Sequence, residues 1–153
     1  MKQVDQLSIV VRDLDKAMKL YGGIFGLAHW KVMTPEYTDR TFRGEIANFK
    51  VKVALARVGN MELELIQPLE GRSANAEFLL KHGEGLHHIG ISVTNIKERI
   101  REFAELGFEL IQSGERPGNV FAYLQNEAQS SILIELFERS QSIDYGEPVM
   151  KNL

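Results

Sequence analysis

Apolar and polar residues alternate along the start of the chain. Leu7, Ile9 and Val11 fall between Gln6, Ser8 and Val10, a period of two that predicts a two-faced strand over residues 4–11. Asp13 then offers an N-cap, and Asp15 suits the positive end of a helix dipole. Leu14, Ala17, Met18 and Tyr21 recur at helical spacing until Gly22, Gly23 and Gly26 end the helix. Residues 37–48 are polar and unperiodic and read as a loop. Residues 49–58 alternate again, Gly59-Asn60 reads as a turn, and residues 61–67 read as the next strand. Residues 68–72 are expected to leave the sheet. Ser73 caps a short helix that runs through Ala76, Phe78 and Leu79 to Gly83. From Leu86 the pattern restarts: a strand, then Asn95 and Glu98 in the spacing of a capping box, a helix, and strands over 121–124 and 131–137. Residues 139–153, with Gly146 and Pro148, read as a loosely ordered polar tail.

The restart is a repeat. Gln6 aligns with His88, Leu7 with Ile89, Ile9 with Ile91, Val11 with Val93, Leu14 with Ile96 and Tyr21 with Phe103. Downstream, residues 61–65 (MELEL) align with 132–136 (ILIEL). Each half therefore carries one ligand-type residue on its first strand and one Glu on its last. A pseudo-twofold axis between the halves would bring Gln6, Glu64, His88 and Glu135 to one point. Carboxylates within apolar strands are unusual unless paired or bound to a metal. One imidazole, one amide oxygen and two carboxylates suit a divalent cation such as Zn, Ni, Co or Mn. Alternation points His87 to the face opposite His88, as a structural neighbour. Glu62 reads as a solvated residue, and His29 and His82 fall in loop-like contexts. The faces of Gln6 and His88 read as lined by small residues, as a pocket requires.

A chain of 153 residues with 44% hydrophobic and 25% charged residues has the make-up of an ordinary globular domain. Neither half would bury enough apolar surface alone, so both should pack as one unit. A net charge of −3 argues against nucleic acid or an anionic membrane as partner. No apolar run approaches a membrane span, and the first residues lack a signal-peptide core. The absence of Cys excludes disulfides, thiolate metal sites and a cysteine nucleophile, and fits a cytoplasmic protein.

The stretches VDQLSIVVRDLDKAMKLYGGIFGL, VGNMELELIQPL, GEGLHHIGISVTNI and SSILIELFE resemble, in order, the vicinal oxygen chelate superfamily. They look most like methylmalonyl-CoA epimerases, and next like glyoxalase I. The resemblance implies an α+β fold of two βαβββ modules in pseudo-twofold arrangement, a curved sheet around a metal site. It places one superfamily domain over residues 1–138, with modules at 4–68 and 86–138 and a connector at 69–85. It puts the metal positions on Gln6, Glu64, His88 and Glu135, with Glu135 and Glu64 as the acid–base pair. The implied substrate is an acyl-CoA or other thioester, and the implied assembly a homodimer, to which strand 49–58 would offer an exposed surface. Epimerases usually carry His where this chain has Gln6, and the set found here is closer to that of some glyoxalase I enzymes. The loop in which epimerases often carry a proton-transfer Glu aligns with Ala47 or Asn48, with Glu45 nearby. Three readings follow: an epimerase-like isomerase, a glyoxalase-like lyase, and a metal-free small-molecule binding protein of the resistance type. An iron dioxygenase would want a second imidazole.

Overall fold

The alternation around Gln6 becomes a strand, β1 (Gln6–Val10), and the stretch after Asp13 becomes a helix, α1 (Leu14–Phe25), in the computed structural model, which describes residues 3–129 and 132–146. Asp13 caps α1 by accepting from the Lys16 amide at 3.0 Å, and Gly26 closes it in the left-handed conformation. The chain continues through β2 (Lys31–Met33), β3 (Thr38–Phe42), β4 (Glu45–Ile46), β5 (Lys50–Val58) and β6 (Met61–Glu70). Then come α2 (Ala74–His82), β7 (Gly85–Ser92), α3 (Ile96–Glu105), β8 (Glu109–Arg116), β9 (Asn119–Gln125) and β10 (Leu133–Arg139). Ser73 caps α2 as the sequence indicates, and His82 is the last residue of that helix, its ring against Phe78.

All ten strands join one curled sheet in the order β2-β5-β6-β1-β7-β10-β9-β8-β3-β4. The repeat is visible in that order. β1 lies parallel to β6, β7 lies parallel to β10, and the two halves meet edge to edge through the antiparallel pair β1–β7. The convex face packs on two helices. Val11, Leu14, Ala17, Ala54 and Leu65 form one cluster under α1, and Ile96, Ala122, Leu124 and Leu136 form another under α3. The concave face holds the largest cluster, with Val10, Phe49, Ile66, Phe121, Tyr123 and Phe137 among its members and Phe78 of α2 packed against it. The concave side is thus filled by aromatic residues rather than lined by small ones.

Several boundaries differ from the sequence expectation. Residues 37–48 are not a loop: β3 and β4 form a hairpin, and β3 pairs with β8 of the second half. A register shift between Thr38 and Thr41, with Asp39 at φ 49°, breaks the alternation that would have revealed the strand. β6 runs on to Glu70, with Pro68 opposite Val51, so residues 68–70 stay in the sheet. β5 is not an exposed edge, because β2 and β6 flank it. β10 reaches Arg139, which therefore belongs to the sheet and not to a tail; residue 131 of the expected strand and residues 147–153 lie outside the described residues. Asn95 makes no side-chain cap on α3. It sits in the left-handed region and donates its side-chain amide to Glu98, while the Glu138 carboxylate accepts from the Asn95 and Ile96 backbone amides.

Candidate metal centre

The four expected donors come together on the concave face, either side of the β1–β7 seam. Gln6 stands beside Glu62 of β6 and Gly90 of β7, and Ser8 stands beside Glu64 and His88. Glu135 of β10 is opposite Gly90. Gly90 has to lack a side chain here: a Cβ would lie 2.9 Å from the Gln6 amide oxygen. The His88 ring is fully buried, and its Nε2 faces three oxygens: Gln6 Oε1 at 2.9 Å, Glu135 Oε2 at 2.9 Å and Glu64 Oε1 at 3.6 Å. Glu64, His88 and Glu135 form a group that could hold a metal, with ligand atoms all within 4.8 Å of one another.

The chemistry of this cluster is unbalanced without a cation. One imidazole nitrogen carries at most one proton, and that proton can satisfy one oxygen. Glu135 Oε2 is buried and receives no aligned hydrogen bond. Glu64 takes one from the Ser8 hydroxyl at 2.7 Å. Buried oxygens gathered with too few protons fit a divalent ion, and the mixture of amide, imidazole and carboxylate fits the metals named above.

His87 lies on the same face as His88, contrary to strict alternation. Ser8 pairs with His88 but Ile9 pairs with Leu86, so His87 is an extra residue in β7, a β-bulge. Both consecutive rings turn inward, and His87 Nδ1 lies 2.8 Å from His88 Nδ1. Burial, then the neighbouring His88, hold His87 well below the ordinary imidazole pKa. A neutral His87 can accept the His88 Nδ1 proton. The Nε2 lone pair of His88 is then directed at the other donors, the second-sphere arrangement that metal-bound imidazoles require.

Glu62 is also inside. It is 2% exposed, accepts from Gln6 Nε2 at 2.6 Å, and takes two hydrogen bonds from Arg139, at 2.9 and 3.0 Å, and one from the Tyr145 hydroxyl. The sequence places Glu62 on the same face as Glu64, two residues away on β6, but carries no local sign of its partner Arg139. Glu45 and Ile46 are exposed on β4, and Glu45 is not a member of the Glu64–His88–Glu135 group. Tyr123 stacks at 4.8 Å on His88, and its phenol is kept protonated by burial and by the charges of Glu135 and Glu64. A cavity of about 590 Å³ opens beside Glu62, Phe137, Arg139 and Tyr145, one hydrogen bond away from Gln6.

Burial, and then the charge of Glu135, push the Glu64 carboxyl up to about 7, against the pull of His88 and the Ser8 hydroxyl. The unfolded chain carries Glu64 at an ordinary carboxylate pKa, so the folded state binds its proton more tightly. The stability this supplies is full below the unfolded pKa and is lost as pH rises through about 7. Chelator-treated protein should therefore unfold at a lower temperature at about pH 8 than at about pH 5.5, and a divalent ion should raise the melting temperature more at the higher pH. Equal thermal shifts at both pH values would contradict a shared carboxylate site.

Comparison with known proteins shows the family. Residues 5–123 match the glyoxalase/bleomycin resistance protein/dioxygenase superfamily. The chain belongs to that superfamily. An uncharacterised protein of Bacillus subtilis is 30% identical over 141 residues, covering 90% of this chain and 93% of the relative. The mitochondrial methylmalonyl-CoA epimerase of Bos taurus is 26% identical over 139 residues, covering 88% and 73%. Among solved structures, a methylmalonyl-CoA epimerase variant of Streptomyces coelicolor in complex with 2-nitronate-propionyl-CoA superposes with a TM-score of 0.69 at 20% identity, over 92% of this chain and 99% of that one. At that identity the last comparison speaks for the superfamily fold alone: a curled sheet with, among the described residues, three helices.

Proposed function

We propose that this protein is a metal-dependent isomerase that moves a proton next to the carbonyl of a thioester, of the methylmalonyl-CoA epimerase type. Gln6, Glu64, His88 and Glu135 would hold one divalent ion, Zn, Ni, Co or Mn. The observation that carries the reading is His88 Nε2 facing three side-chain oxygens, to which that nitrogen can supply at most one proton. The epimerases among the relatives supply the substrate class.

A divalent ion bound there supplies Lewis acidity toward a substrate carbonyl, worth several kcal/mol at the transition state. The protein's own groups do the rest. Glu135 removes the α-proton: the C–H bond breaks, its electron pair moves toward the carbonyl, and the proton passes to a carboxylate oxygen. Glu64 stands across the pseudo-axis and returns a proton to the opposite face, which inverts the centre. The aromatic packing of the concave face leaves the Glu64 and Glu135 side chains only 13% and 10% exposed. On this reading residues 4–68 and 86–138 are the two half-site modules of a domain spanning 1–138. The active form is a homodimer in which each chain holds a full donor set.

A second reading is favoured by one observation. Gln6 in place of the usual epimerase His gives a donor set closer to that of some glyoxalase I enzymes. The same carboxylate pair would then move a proton between adjacent carbons of a hemithioacetal.

Both readings meet in one experiment. Metal-loaded protein is incubated in deuterium oxide with each enantiomer of methylmalonyl-CoA, and separately with the hemithioacetal of methylglyoxal and glutathione. Deuterium entering the methylmalonyl α-carbon above the protein-free rate supports the first reading, and lactoylglutathione formation supports the second. Neither reaction in protein shown to contain metal would overturn both and favour a binding protein on the same fold.

A further inference from the structure

We infer that Glu62, clamped by Arg139 and Tyr145, is a positioning residue that turns the Gln6 amide oxygen into the metal centre; the inference rests on the metal-centre reading above. A glutamine amide has an oxygen face and a nitrogen face of nearly the same shape, and its surroundings decide which points where. A carboxylate only accepts. Glu62 Oε1 lies 2.6 Å from the Gln6 terminal atom that faces it, so that atom is the nitrogen, and the oxygen is left 2.9 Å from His88 Nε2. Gln6 and Glu62 are cross-strand partners in the β1–β6 register, so the contact is built into the sheet.

Glu62 is 2% exposed, and every hydrogen bond it makes is one it accepts, from Gln6, Arg139 and the Tyr145 hydroxyl. The guanidinium grips both carboxylate oxygens, a paired geometry that point-charge lysine could not reproduce. The chain of contacts runs Arg139 and Tyr145 to Glu62, Glu62 to Gln6, and Gln6 to His88. Arg139, the last residue of β10, and Tyr145 beyond it thereby reach the donor set. An imidazole at position 6 would not face the same choice between oxygen and nitrogen, so the clamp answers a need created by Gln6.

The test measures Co(II) affinity by competition with a chromophoric chelator in four proteins. These are the unmodified chain, Glu62→Met/Arg139→Met (which removes both charges, so neither is left buried alone), Gln6→Ala, and the three substitutions combined. The expected result is a loss of at least about tenfold in the double variant, a similar loss in Gln6→Ala, and no further loss when they are combined. Undiminished affinity in the double variant, or losses that simply multiply, would overturn the inference, since a purely structural ion pair acts independently of Gln6. Should the double variant fail to fold, Tyr145→Phe keeps the Arg139 pair and should weaken Co(II) by a few-fold through Gln6 alone. A second measurement needs no metal. In the metal-free protein, NMR should find the Gln6 side-chain amide protons shifted downfield and slow to exchange, and solvent-like in the double variant. A solvent-like Gln6 amide in the unmodified chain would overturn the positioning role. A protected amide in a protein that binds no Co(II) would instead keep that role and reject the metal centre.

Discussion

Replacing Glu135 with Gln should leave a divalent ion bound and slow α-proton exchange by about 100-fold or more. Glutamine keeps an oxygen donor and nearly the same volume on β10, where Leu133 and Phe137 flank the position on the same face. What it removes is basicity. Unchanged exchange in a metal-loaded Glu135→Gln protein would place the base elsewhere. Glu64→Gln is the companion. If the two carboxylates serve opposite faces of one carbon, that variant should impair exchange into one enantiomer of methylmalonyl-CoA more than into the other. Equal impairment of both enantiomers would argue against a two-base epimerisation.

The second large effect concerns the ion itself. His88→Ala should lower divalent-metal affinity by well over tenfold, because it deletes the only imidazole among the four donors and the group on which the other three converge. It also opens a void beside the Tyr123 ring and leaves His87 without its partner, so a loss of folding stability accompanies it. The two consequences separate in practice. Metal content after purification without chelator reports the first, and thermal unfolding of the stripped protein reports the second. A His88→Ala protein that still carries about one ion per chain would remove His88 from the donor set. His88→Gln, which refills part of the space, should recover stability without recovering affinity.

The central geometry was readable in the sequence because it depends on two simple periods and one repeat. Once β1 aligns with β7 and β6 with β10, the topology alone brings Gln6, Glu64, His88 and Glu135 to the seam. What escaped reading has local causes. The bulge that turns His87 inward adds one residue to β7, and alternation counted across it gives the wrong face. The β3–β4 hairpin is polar and broken by a register shift, so it carries no strand signature, and its pairing with β8 spans the two halves. Glu62 reads as solvated because its counter-ion, Arg139, is 77 positions away along the chain. The N-cap of α3 comes from Glu138, likewise distant, and no pattern around Asn95 announces it. In each case a non-local partner overrides a local rule.

The order in which the strands find their partners has a consequence for how the protein is made. β1 and β6 are separated by one helix and four strands, so the core of the first half of the sheet can assemble as the chain emerges. The β3–β4 hairpin cannot dock until β8 exists, and β7 and β9 stay apart until β10 enters between them. β10 brings Glu135, the cap of α3 and the Arg139 clamp in a single seven-residue strand. Until it inserts, a nascent chain exposes strand edges that other nascent chains could pair with. A metal ion would meanwhile find only an incomplete set of donors. If the cluster takes a metal, late insertion of one central strand would make its capture coincide with the end of folding, and synthesis slowed just before β10 should favour aggregation over mismetallation.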